Sequence, residues 1–118
     1  MQADIEITDS PDGHYAVHAT PWEAGASHWI YHPTIVDNRS GRVLWSPADR
    51  YWSVEGLRWL STARVKLQLR KYPGDRRPAL IELVVDCCAE QARLHNDWHP
   101  LAAVDALMAA VWAAEGNA

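Results

Sequence analysis

The sequence predicts an α+β domain: an antiparallel β-sheet of about five to seven strands built from hairpins, with a C-terminal α-helix packed on one face. Three patterns in the 118 residues support it: period-two alternation running to residue 86, turn residues between the alternating runs, and a 3.6-residue apolar stripe after Pro100.

Residues 3–8 place Ile5 and Ile7 on one face and Asp4, Glu6 and Thr8 on the other, as in a half-buried strand. Asp9 to Gly13 is a turn cluster, and residues 14–20 alternate again with Tyr15 and Val17 together, which completes a hairpin. Residues 21–26 read as a connection. A long strand follows over 28–37, interrupted by Pro33, whose missing N–H pushes it toward an edge or a bulge. The turn Asn38-Arg39-Ser40-Gly41 leads into a returning strand over 42–45. The span 46–61 admits two readings, a loop with a short strand over 54–60 or a single helical turn over 47–51.

Residues 63–71 alternate strictly, Val65, Leu67 and Leu69 opposing Arg64, Lys66, Gln68 and Arg70. Pro73-Gly74 supplies a turn, and the nearly continuous apolar run 79–86 returns as a central strand. Cross-strand ion pairs are expected between Arg64, Lys66 and Arg70 on one side and Glu82 and Asp86 on the other. Residues 88–95 suggest a short helix. From 100 to 115 the stripe Leu101, Val104, Leu107 or Met108, Val111 and Ala114 marks the main helix, with Pro100 suited to its first position and Gly116 to the position past its end.

One globular domain spanning residues 1–118 is the expectation at this length. A hydrophobic content of 48% with 22% charged residues is that of a folded chain rather than a disordered one. The net charge of −4 argues against a nucleic-acid partner. Nine of the eleven basic residues are Arg and Ala is abundant, a composition of GC-rich bacterial genomes. Cys87 and Cys88 are adjacent and have no other Cys to pair with, which points to a reducing cytoplasm and no disulfide. The first residues carry no basic-then-apolar signal pattern, and no apolar run reaches the roughly 20 residues that span a bilayer.

Catalytic motifs are missing: there is no Cys-x-x-Cys, no Gly-x-Ser-x-Gly and no Gly-rich phosphate loop. His95 and His99 have helical i, i+4 spacing, but Pro100 breaks the helix they would need. His14 with His18, and His28 with His32, sit i, i+4 on strands, about 13 Å apart and too far to share an ion. No catalytic residue, metal ligand or cofactor is therefore assigned.

The aromatic content is what remains. There are seven Trp and no Phe, and three of the Trp fall in LWSPADRYWSVEGLRW. Trp and Arg are the residue types enriched where binding energy concentrates. A partner-binding surface is accordingly expected from Trp45, Asp49, Arg50, Tyr51, Trp52, Glu55, Arg58 and Trp59, with Trp45 and Trp59 as core residues in the competing reading.

A small acidic chain of successive hairpins, including YHPTIVDNRSGRVLW and VKLQLRKYPG, with a C-terminal helix resembles small bacterial immunity proteins. The resemblance implies a cytoplasmic inhibitor that binds and neutralises a cognate toxin protein without turnover, its acidic charge opposing a basic toxin. Two other classes compete with it: a small-molecule-binding domain with a pocket lined by Trp and Tyr, and a His-based metal-dependent enzyme.

Overall fold

The computed structural model describes residues 5–25, 28–72 and 80–116. Among these, nine antiparallel strands form two sheets rather than one, followed by a single helix. The first sheet has β1 (Glu6–Asp9), β2 (Tyr15–Glu23), β3 (Trp29–Asp37) and β4 (Val43–Trp45) in sequence order. The second has β5 (Trp52–Trp59), β6 (Arg64–Lys71), β7 (Ile81–Asp86), β8 (Gln91–Leu94) and β9 (Asp97–Pro100), again in sequence order. Helix α1 (Leu101–Gly116) contacts β8 and β9.

The sheets share one core. Tyr15, Val17, Ile35 and Trp45 from the first meet Trp52, Leu67, Leu83 and Val85 from the second, together with Leu101, Val104 and Met108 of the helix. Alternation explains which residues face inward, since successive side chains of a strand point to opposite faces. The helical stripe holds for Leu101, Val104 and Met108, which are buried, whereas Ala114 is exposed. Pro100 closes β9, and the helix starts one residue later than its sequence signal.

Several expectations need correction. β1 is fully exposed, with Ile5 and Ile7 at 52% and 58%, because Ile7 pairs with His18 while Thr8 pairs with Val17. Ile7 thus lies on the face of the sheet away from the core. The connection expected after residue 20 is instead the continuation of β2 through Pro21 and Trp22 to Glu23. Pro33 sits inside β3, but β4 pairs only beside Ile35 and Val36, at a bulge, so Pro33 lies where β4 is no longer paired. Its carbonyl accepts the Ser46 hydroxyl instead.

The span after Trp45 resolves into a turn and an eight-residue strand. β5 carries a bulge between Val54 and Gly56, which makes Glu55 the extra residue. That bulge switches parity. Trp52 and Val54 face the core before it, and Leu57 and Trp59 after it, which is why no simple alternation shows.

The helix expected over 88–95 is absent. Cys87 to Glu90 form a turn and Gln91–Leu94 a strand, with Ala92 and Leu94 buried and paired to Val85 and Leu83. Helix propensity in this stretch is worth only a few tenths of a kcal/mol per residue. Burial of alternate side chains against β7 outweighs it. A two-residue turn, His95-Asn96, then returns the chain into β9, with His95 at a φ of 61°.

The outward face of β6 and β7 carries the expected ion pairs in part. Arg64 reaches Asp86 at 3.0 Å and Lys66 reaches Glu82 at 3.5 Å, but Arg70 pairs with the bulged Glu55 at 3.1 Å. The Pro73-Gly74 turn lies outside the described residues. Burial would raise the Asp86 carboxyl, yet the Ala89 N–H and the Arg64 guanidinium outweigh it and hold the group below its ordinary 3.8. Asp37 and Asp49 are likewise held down. A carboxyl depressed on folding stabilises the fold above its unfolded-state value, and that stability is lost as pH falls through the folded-state value. Urea unfolding between about pH 5 and about pH 2 should show stability falling with acid, and Asp86→Asn should flatten that fall.

Candidate functional site

An aromatic and arginine patch forms where the β2–β3 hairpin, the turn before β5 and the end of β6 meet. Asp49 begins it. Its carboxylate accepts the Tyr51 N–H at 2.9 Å, an Asx turn that holds Arg50 and Tyr51 out from the sheet. Lys71 fixes the same carboxylate at 3.0 Å. Burial pushes the Asp49 carboxyl up, but the Tyr51 N–H and Lys71 together hold it below its ordinary value.

Trp22 anchors the other side. Its indole N–H donates to the Arg50 carbonyl at 3.1 Å, and the Arg50 guanidinium lies 3.9 Å from the Trp22 ring centroid. Tyr51 meets Trp22 edge-on at 5.4 Å, and Tyr72 stacks near Tyr51 at 6.4 Å with ring planes 18° apart. His28 tilts against Tyr72 at 5.0 Å. The Tyr72 N–H donates to the Tyr51 carbonyl at 2.9 Å, so the two tyrosines are tied through the backbone as well. Tyr51 is 41% exposed.

The residues singled out from the sequence divide among three places. Asp49, Arg50 and Tyr51 belong to this patch. Trp45 and Trp52 are 6% and 3% exposed and lie in the core, so they cannot touch a partner directly. The Trp45 indole N–H donates to Asp105 on the helix at 3.2 Å. Glu55 and Arg58 stand on the outward face of the second sheet, and Trp59, half-buried at the far end of β5, donates weakly to the Thr8 carbonyl at 3.4 Å. The span from Trp45 to Trp59 therefore does not form one surface, because an eight-residue strand carries its two ends roughly 23 Å apart.

Trp22, His28 and Tyr72 join the patch from segments read as a connection, a strand start and a turn. One signal for Trp22 was present: alternation carried past Pro21 puts it on the face opposite Tyr15 and Val17. Nothing local marks Tyr72, whose place depends on β6 pairing with β5.

Burial pushes the Cys87 thiol up to about 12, which removes it as a nucleophile at neutral pH. Among the described residues no three His, Cys, Asp or Glu side chains gather to hold a metal. His14 stacks on Tyr15 and faces Asp37, and His32 shares a hydrogen bond with Ser46. An open cleft of about 530 Å³ lies between β4 and the start of α1, lined by Leu44, Trp45, Glu90, Leu101 and Asp105 among others. Its carboxylates are engaged: Asp105 accepts from Trp45 and the Ala48 N–H, and Glu90 pairs with Arg42. No described helix is long and apolar enough to cross a membrane. Comparison of the chain with known protein families, with curated proteins and with solved structures returns no match.

Proposed function

We propose that this chain is a non-catalytic protein-binding domain, acting as an immunity-type inhibitor that docks on a cognate bacterial toxin in the cytoplasm. The observation that carries the reading is the patch of exposed Arg50 and Tyr51 with half-buried Trp22 and Tyr72, held in place by hydrogen bonds and ring contacts. Trp, Tyr and Arg are the commonest hot-spot residues, and a preorganised patch loses little side-chain freedom on binding. Loops held on a rigid sheet are where such surfaces are usually found. The overall charge of −4 favours encounter with a basic partner and makes association salt-sensitive.

The test is calorimetric titration of the chain into the purified product of the neighbouring reading frame. Arg50→Ala and Tyr51→Ala should each weaken binding by about 2 kcal/mol or more while leaving the melting temperature near wild type. Unchanged affinity in both variants would remove the patch as the binding site.

A further inference from the structure

The outward face of the second sheet has the opposite sign to the chain as a whole. Arg58, Arg64, Lys66, Arg70 and Arg93 stand on it against three carboxylates, Glu55, Glu82 and Asp86, a local excess of two positive charges. Ion pairs absorb Arg64, Lys66 and Arg70. Among the described residues Arg58 and Arg93 have no carboxylate within salt-bridge distance. Strand register puts these two on a single row across the sheet, Arg58–Lys66–Val84–Arg93–Trp98. Trp98 ends the row with the guanidiniums of Arg64 and Arg93 over its ring, 4.9 Å and 5.5 Å from the centroid.

We propose that this face is a second docking surface, distinct from the aromatic patch, for an extended acidic segment of a partner protein. Three strand spacings separate Arg58 from Arg93, about 14 Å, close to the roughly 13 Å between residues i and i+4 of an extended chain. Carboxylates at that spacing would meet both of these guanidiniums at once, and the contact with the Trp98 ring holds the Arg93 fork with its N–H edges available. A single-stranded nucleic acid fits less well. Two guanidiniums already lie over the indole on which a base would stack.

The test uses the whole chain and fluorescence anisotropy of a short labelled peptide of alternating Glu and Thr, with an oligo-dT of equal charge as the second probe. The peptide should bind in low salt, and Arg93→Glu and Arg58→Glu should each weaken it about tenfold. Arg39→Glu, in the exposed β3–β4 turn, removes the same charge and should leave binding within about twofold of wild type. Circular dichroism verifies that each variant is folded. Failure of the peptide to bind, equal loss in Arg39→Glu and Arg93→Glu, or tighter binding of the oligo-dT would each overturn the proposal.

Discussion

Trp52→Ala is expected to destabilise the protein by about 3–5 kcal/mol, enough to unfold much of a chain of ordinary stability. Trp52 is 3% exposed at the start of β5, between the two sheets, and belongs to the same core cluster as Ile35, Leu69 and Val104. Its neighbour Tyr51 points the other way and is 41% exposed. Adjacent residues of similar bulk should thus respond in opposite currencies, Trp52→Ala in stability and Tyr51→Ala in binding. Guanidinium unfolding of both variants measures this. A Trp52→Ala protein as stable as wild type would contradict the placement of β5 across the core.

The second large effect is expected at the helix. Val104 is 1% exposed, with Met108 one turn on at 0%, where α1 packs on the second sheet. Val104→Asp would place a carboxylate among apolar side chains with no partner, a cost of several kcal/mol. Asp105, one residue on, is tolerated because the Trp45 indole and the Ala48 N–H both donate to it. The expected result is loss of cooperative unfolding in Val104→Asp at neutral pH, followed by thermal denaturation. Ala106→Asp on the exposed side of the same turn should change little.

These placements also show how far local pattern reaches. The strict alternation of residues 63–71 and the apolar stripe from Leu101 to Met108 were legible because each follows one period without interruption. Three elements were less legible, each for a different physical reason. The bulge at Glu55 shifts the inward set from Trp52 and Val54 to Leu57 and Trp59, which hides a single strand inside what looks like a loop. In 88–95, weak helical preference conflicted with burial of Ala92 and Leu94 against β7, a contact between strands that propensity does not encode. Ile7 alternates as a core residue would, but its register with His18 turns it outward.

The candidate site was legible only at its centre. Asp49, Arg50 and Tyr51 were found because an acidic turn residue precedes an Arg–aromatic pair, which is a local signal. Trp22 and Tyr72 reach them through tertiary structure, since the β2–β3 hairpin and the end of β6 arrive from 28 and 21 residues away in sequence. Trp45 and Trp52 gave the same compositional signal as a surface Trp, because composition does not distinguish the two faces of a strand.

The measurement that bears most directly on the patch is the set of indole N–H resonances of the seven Trp, recorded in a ¹⁵N spectrum while the partner is titrated. Trp22 should shift or broaden at saturation, because its indole N–H holds the Arg50 carbonyl and its ring lies under the Arg50 guanidinium. Trp45 and Trp52, in the core, should stay in place. A saturated complex in which Trp22 does not move, while Trp59 or Trp98 does, would contradict the account and move the interface to another face of the molecule.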